Sequence, residues 1–189
     1  IGVAPSEIEM SVQQIGLDVH QAWGGAARCS VTGCQLVAIE HESSNIVLYQ
    51  FEGRSARLLD RQSLAYHPDS AVWLTDDLIV AAVEASQSLD FFGVKAGKLE
   101  KKHQIAMGFA PRDVLVVSAK GGRYQLLVTP YSGKEVAWVD YTPNDPASSK
   151  VTKRTWCEAP WHPTHLSRAP NTPLGGIAVG CLDERRIVF

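Results

Sequence analysis

The sequence predicts an all-β protein built from repeated antiparallel sheets. Helical periodicity is nearly absent over the 189 residues. Short runs rich in Val, Ile, Leu, Tyr and Phe are instead separated by Gly, Ser, Asn, Asp and Pro, which is typical of an all-β domain. The strongest apolar runs also recur at a similar spacing, and this indicates internal repeats.

Four repeat units align on their apolar runs, which begin at Gln35, Leu78, Gln125 and Gly176. Successive starts are roughly 40–50 residues apart, the spacing of four-stranded propeller blades. We therefore predict a small β-propeller of four blades, each with four antiparallel strands. A β-sandwich with the same number of strands is the alternative. The predicted units span residues 17–64, 65–107, 108–158 and 159–189.

Each strand of a blade has its own pattern. Pro68, Pro111 and Pro163 precede the runs predicted as innermost strands, where a residue with fixed φ and no N–H fits the first position. The next strand is continuously apolar, as in "LIVAAV", because neighbouring blades cover both of its faces, and the third strand alternates more. The outer segments hold most of the basic residues, as expected for solvated edge strands: they are 56–64, 98–107 and 150–158.

The fourth unit reaches Phe189 directly after its third strand, so it lacks an outer strand. The segment "EIEMSVQQIG" at 7–16 has no strand of its own to pair with. We expect this segment to supply the missing strand and to close the ring. A half-ring completed by a second copy of the chain would have a similar pattern, so a homo-oligomer stays open.

The sequence of the paired strands resembles the VCBS / FG-GAP-like β-propeller repeats, especially at 124–141 ("YQLLVTPYSGKEVAWVDY") and 174–189 ("LGGIAVGCLDERRIVF"). The resemblance implies a propeller fold. The acidic, glycine-containing calcium loop of that family is missing, and "TDD", "SAKGGR" and "APNTPLGG" stand at the corresponding positions. Calcium binding by carboxylate-rich loops is therefore not implied for this chain.

Charge and hydropathy disfavour two classes of partner. The chain has 18 basic and 20 acidic residues and a formal charge of -2, without the basic face that nucleic-acid binding needs. Its longest apolar run, 78–83, is far too short to span a membrane.

The four cysteines do not have zinc-site spacing: they are Cys29, Cys34, Cys157 and Cys181. An even number permits disulfides in three connectivities, and buried free thiols are the alternative. A secreted or periplasmic location is slightly favoured over a cytoplasmic one.

The histidines suggest a metal site. Equivalent blade positions converge at one mouth of a propeller, so His67 and His162 should lie near each other, with His165 one step further along its strand and Asp69 nearby. Two or three imidazoles plus a carboxylate would suit a Zn²⁺-like ion and a metal-assisted hydrolase or lyase. The third blade has alanine at the equivalent position, which favours a simple strand entry, and no cofactor is otherwise expected.

Tryptophans suggest a binding surface. In "WCEAPWHP", Trp156 and Trp161 flank a turn next to His162, and exposed Trp rings stack on sugars or anchor protein partners. Most tryptophans are expected to fill the space between blades instead. Because local catalytic motifs are absent, the main expectation is a non-enzymatic binding or scaffold module for a protein or ligand partner. The alternatives are the metal-assisted hydrolase or lyase and a carbohydrate-binding propeller.

Overall fold

A computed structural model describes residues 22–31, 33–53, 55–157, 163–168, 176–181 and 185–188. These residues form four antiparallel sheets in chain order. The first contains β1 (Ala22–Ser30), β2 (Gly33–Glu40), β3 (Asn45–Glu52) and β4 (Ser55–Ser63). The second contains β5 (Pro68–Trp73), β6 (Leu78–Val83), β7 (Ser88–Lys95) and β8 (Lys98–Ala106). The third contains β9 (Pro111–Lys120), β10 (Arg123–Pro130), β11 (Glu135–Tyr141) and β12 (Lys150–Thr155). The fourth contains β13 (Pro163–Arg168), β14 (Ile177–Cys181) and β15 (Arg186–Val188).

The sheets are the blades of a propeller, which confirms the predicted fold class. Their innermost strands contact one another in the order β1, β5, β9, β13. Within the described parts of the chain, no equally extensive contact joins the fourth sheet back to the first. The segment 7–16, expected to complete the fourth sheet, lies outside the described residues, so that part of the prediction stays a prediction.

Hydrophobic clusters lie between adjacent sheets. In β6, Ile79 packs into the cluster shared with the first sheet, whereas Val80 packs into the cluster shared with the third. In β10, Leu126 faces the second sheet and Leu127 the fourth. Because side chains alternate across a strand, a strand between two neighbouring blades needs apolar residues at every position, as the sequence predicted for "LIVAAV".

The strand entries also follow the predictions, and a pair of glycines forms one of the hairpin turns. Pro68, Pro111 and Pro163 are the first residues of β5, β9 and β13. Gly121 and Gly122 join β9 to β10 with φ angles of 57° and 73°, the positive values that a tight type I′ turn requires.

The cysteines form two disulfides. Cys29 and Cys34 face each other across the β1–β2 hairpin, and Cys157 joins Cys181 of β14. The second bond connects the end of the third sheet to the fourth. No described helix is long and apolar enough to cross a membrane.

Candidate active site at the entry face

The innermost strands of three neighbouring sheets begin at one end of the propeller, here called the entry face. Antiparallel pairing brings the start of β5 beside the end of β6, with Pro68 opposite Val83. It likewise brings Ala22 at the start of β1 beside Glu40 at the end of β2. The turns after β2 and β6 and the loop before β5 therefore meet at this face.

Four stacked aromatic rings occupy the entry face between the first two sheets. We call Trp23, His41, His67 and Tyr66 the ring column. Successive ring centroids are 5.0 Å apart from Trp23 to His41, 4.3 Å from His41 to His67 and 3.7 Å from His67 to Tyr66. The outer rings are open to solvent, with Trp23 60% and Tyr66 58% exposed, so the two imidazoles lie between two exposed aromatic rings.

His67 has an unusual backbone. Its φ is 52°, in the left-handed region that residues other than glycine rarely adopt. Its carbonyl accepts a hydrogen bond from the Glu84 amide at 3.0 Å, and the Tyr66 carbonyl accepts one from Ala85 at 3.2 Å. Backbone strain of this kind is concentrated at functional sites, where the surrounding structure maintains it.

Asp69 is a buried carboxyl group below the ring column. Its side chain is 3% exposed, and Oδ2 is buried without a hydrogen-bond partner. Burial raises the pKa of Asp69 to about 6, and the nearby Glu84 also raises it, while His41, Arg112 and His67 act in the opposite direction. A carboxyl group held in this way is a stronger base than an ordinary aspartate.

The surroundings of His41 select one tautomer of its ring. Its Nδ1 lies 3.0 Å from the Pro68 carbonyl oxygen and 3.7 Å from Oδ1 of Asp69. A carbonyl oxygen only accepts hydrogen bonds, so Nδ1 carries the proton and Nε2 of the neutral ring carries the lone pair. His41 therefore has a basic nitrogen supported by a buried carboxylate.

His67 is arranged in a similar way. Its Nδ1 lies 3.6 Å from Oε2 of Glu84, and its Nε2 is buried with no hydrogen-bond partner. A buried ring nitrogen without a partner is costly. The ligand atoms of His41, Glu42 and His67 also lie within 4.8 Å of one another, so these residues can hold a metal ion.

Glycine permits the close approach of β1 to Asp69. A Cβ added to Gly24 would lie 2.4 Å from the Asp69 carbonyl oxygen and 3.1 Å from the Ser70 Cα. Only a residue without a side chain allows this contact. Gly24 thus positions the innermost strand of the first sheet against the strand that carries Asp69.

The third sheet contributes a cation. Arg112 is the second residue of β9, as Asp69 is of β5. Its charge lowers the pKa of Asp69, and its guanidinium lies 5.4 Å from the centroid of the Tyr131 ring. The entry face therefore combines a base, a buried carboxylate and a guanidinium.

The predicted site residues have different outcomes. His67 lies in the ring column, but Trp161, His162 and the side chain of His165 lie outside the described residues, so the predicted metal set stays a prediction. Trp156 is half-buried, with its ring 6.5 Å from that of Trp138, and its predicted role in ligand binding stays a prediction.

The sequence patterns did not select His41 or Trp23. His41 follows the end of β2 in "EHES" and resembles an ordinary polar residue at a strand end. Trp23 lies in β1, which was not predicted as a strand because "AWGGAARCS" is rich in glycine and alanine. The signal that could have found His41 is topological, because a turn after a second strand lies at the same face as the start of the next innermost strand.

Another concave surface has a structural explanation. It lies at the opposite end of the first sheet and is lined by Arg28, Gln35 and Asp76, among others. Arg28 donates to Oε1 of Gln35 at 2.6 Å and stacks 4.0 Å from the centroid of the Trp73 ring. Its guanidinium is thus already engaged, and the group stabilises the contact between the first two sheets.

No protein-family model and no curated protein matches the chain significantly, and this includes the VCBS / FG-GAP-like repeats. Solved structures do match. A candidate 6-phosphogluconolactonase from Bacteroides uniformis is 16% identical with a TM-score of 0.64, over 88% of this chain and 49% of that one. A candidate 6-phosphogluconolactonase from Bacteroides fragilis is 17% identical with a TM-score of 0.62, over 86% and 48%. The periplasmic gluconolactonase PpgL of Pseudomonas aeruginosa is 17% identical with a TM-score of 0.59, over 72% and 40%.

These matches define a propeller fold shared with structures that are named as lactonases. The chain spans about half the length of the first two structures. This comparison contradicts the expectation of a non-enzymatic binding or scaffold module, because the similar structures carry the names of enzymes. The expectation failed because a propeller site is assembled from separate blades and leaves no local motif.

Proposed function

We propose that the chain provides the site of a lactone hydrolase at the entry face. The single observation that carries this proposal is the pairing of His41 with the buried Asp69, in which Nδ1 of His41 is held by the Pro68 carbonyl. The names of the structural neighbours support the reaction class.

The chemistry follows from the state of His41. Nε2 takes a proton from a water molecule as the water oxygen attacks the lactone carbonyl carbon. The ring C–O bond then breaks, and the imidazolium returns the proton to the leaving alkoxide, so one lactone and one water give one hydroxy acid. The Asp69 carboxylate stabilises the imidazolium between the two steps, as in other pairs of a base and an orienting carboxylate.

Arg112 supplies positive charge on the same face. Negative charge develops on the carbonyl oxygen during attack and remains on the product carboxylate. A guanidinium is always protonated and binds oxyanions with fixed geometry. Arg112 therefore suits the binding of this developing charge.

The test is a pH-stat assay on a panel of γ- and δ-lactones, including aldonolactones, with the spontaneous rate subtracted. We expect hydrolysis by the chain to fall by roughly 10²–10⁴-fold in His41→Gln, the usual contribution of a general base. His103→Gln is the matched control, since His103 bonds to Tyr141 in a different part of the protein. Circular dichroism confirms that each variant is folded.

Two results would overturn the proposal. One is the absence of hydrolysis above the spontaneous rate for every lactone of the panel. The other is equal loss in His41→Gln and His103→Gln, because a general loss of stability and not the entry face would then explain the effect.

A further inference from the structure

We propose that His41, Glu42 and His67 form a binding site for one divalent transition-metal ion, with Zn²⁺ as the best-suited ion. Their ligand atoms lie within 4.8 Å of one another. Two imidazoles and a carboxylate are the ligand types that zinc takes in three-ligand protein sites. The same set is poorly suited to Ca²⁺ or Mg²⁺, which require oxygen ligands.

The first argument is the orientation of the two rings. A metal-bound histidine almost always donates its other ring N–H to a carbonyl or a carboxylate. Nδ1 of His41 lies 3.0 Å from the Pro68 carbonyl oxygen, and Nδ1 of His67 lies 3.6 Å from Oε2 of Glu84. Both rings therefore have an acceptor beside Nδ1 and leave Nε2 for a metal.

The second argument is a ring nitrogen of His67 that lacks a hydrogen-bond partner. Nε2 of His67 is buried without a hydrogen-bond partner, and such an atom costs free energy in the folded protein unless a ligand satisfies it. Coordination by Nε2 would remove this cost. The strained φ of His67 is consistent with a position maintained for such a role.

The third argument is charge. Glu42 belongs to the site, Glu84 lies beside His67, and Asp69 lies beside His41. The surrounding charge therefore favours a bound cation.

The ring geometry predicts a movement on binding. The His41 and His67 rings are stacked with an interplanar angle of 17°, so their in-plane lone pairs lie in two separate, nearly parallel planes. One ring must rotate before both nitrogens can reach a single ion. Trp23 stacks on His41, so its fluorescence should change when the ion binds.

This site shares His67 with the metal set predicted by the sequence and draws its other two ligands from a different turn. Glu42 and His41 belong to the turn after β2, which the topology brings to the loop before β5. The inference uses the same nitrogen, Nε2 of His41, that acts as the base in the proposed hydrolase, so a bound ion should block lactone hydrolysis. Metal binding itself does not depend on the hydrolase, because it is measured without a lactone. Failure of one proposal is thus distinguishable from failure of the other.

The experiment is isothermal titration of the chelator-treated protein with zinc chloride, followed in parallel by tryptophan fluorescence. We expect one ion per chain and at least a tenfold loss of affinity in His41→Gln and in His67→Gln, with a smaller loss in Glu42→Gln. His103→Gln should bind as the unchanged protein does. The fluorescence change should disappear in Trp23→Phe, which keeps an aromatic ring beside His41.

The proposal fails if zinc does not bind, or if binding survives in the double variant of His41 and His67, because other histidines would then hold the ion. If a variant does not fold, the site is tested instead on the unchanged protein, by the absorption spectrum of bound Co²⁺. Co²⁺ bound there should show the visible absorption of a nitrogen-ligated site, and a spectrum of oxygen ligands alone would contradict the assignment.

Discussion

Glu40 and Asp69 are both buried carboxyl groups at the entry face, one at the end of β2 and the other near the start of β5, but their surroundings differ. Glu40 is 1% exposed and accepts hydrogen bonds from Ser43 at 3.0 Å, Asn45 at 2.9 Å and Arg61 at 2.9 Å. Asp69 is 4% exposed and leaves Oδ2 without a partner.

The pKa values of the two groups move in opposite directions. Burial raises the pKa of Glu40, but the hydrogen bonds from Asn45, Ser43 and Arg61 together hold it below its ordinary value. Burial dominates for Asp69, whose pKa rises to about 6. Hydrogen-bond donors thus hold one buried carboxyl group ionised, whereas burial with fewer donors raises the pKa of the other.

The largest effect is expected from Glu40→Gln. The amide removes the charge opposite Arg61 and points an NH₂ group at donors, so breaking this network should lower the free energy of unfolding by about 3–4 kcal/mol. Urea denaturation at pH 7 measures the change. A loss below about 1 kcal/mol would mean that the hydrogen bonds of Glu40 are not what separates it from Asp69.

The matched substitution Asp69→Asn should have the opposite sign. It removes a buried carboxylate that lacks one hydrogen-bond partner, so the free energy of unfolding at pH 8 should rise by up to about 3 kcal/mol, the equivalent of two pKa units. Lactone hydrolysis should fall at the same time, because His41 loses its charged partner. Destabilisation of Asp69→Asn at pH 8 would contradict the comparison.

The pH dependence of stability provides a second measurement on Asp69. Its folded pKa of about 6 exceeds the ordinary value of 3.8, so the folded state holds the proton more tightly than the unfolded state does. The stabilising contribution is complete below about pH 4 and is lost as the pH rises through 6. Asp69→Asn should flatten this part of the stability curve, and Glu40→Gln should leave it in place.

Substitution of two glycines in β1 tests what positions Asp69, with a smaller expected change in the free energy of unfolding. An added Cβ would lie 2.4 Å from the Asp69 carbonyl oxygen at Gly24, and 2.4 Å from the Val37 carbonyl oxygen at Gly25. Both alanine variants should lose about 2 kcal/mol by overpacking. Only Gly24→Ala should also lower hydrolysis, and equal activity of the two variants would show that the β1–β5 contact does not position the site.

The smallest effect is expected away from the entry face. The Tyr141 hydroxyl lies 2.6 Å from Nε2 of His103, and Tyr141→Phe should cost about 1 kcal/mol, the worth of one hydrogen bond. Lactone hydrolysis should be unchanged. A clear loss of hydrolysis at equal stability would place part of the reactive machinery outside the entry face.

The fold could be predicted because its cause is local and repeated. The continuous apolar run of β6 indicates that both faces of this strand are covered. The prolines that begin β5, β9 and β13 indicate where these strands start. β1 could not be predicted in this way, since its glycines serve close backbone contacts: Gly24 approaches Asp69, and Gly25 approaches Val37. Such contacts leave no hydrophobic period in the sequence.

The candidate site was predictable only in part. His67 was selected by its place before an innermost strand, and Asp69 was named beside it. His41 was not selected, because it lies 26 positions before His67 with two strands between them, and only the packing of the first two sheets stacks their rings 4.3 Å apart. The sequence by itself determined the strands from β2 onward, their order and their burial, since each depends on the pattern of side chains along one strand. The tertiary structure alone decided which buried carboxyl group has a full set of donors and which has not, because that depends on the atoms that neighbouring blades bring to each oxygen.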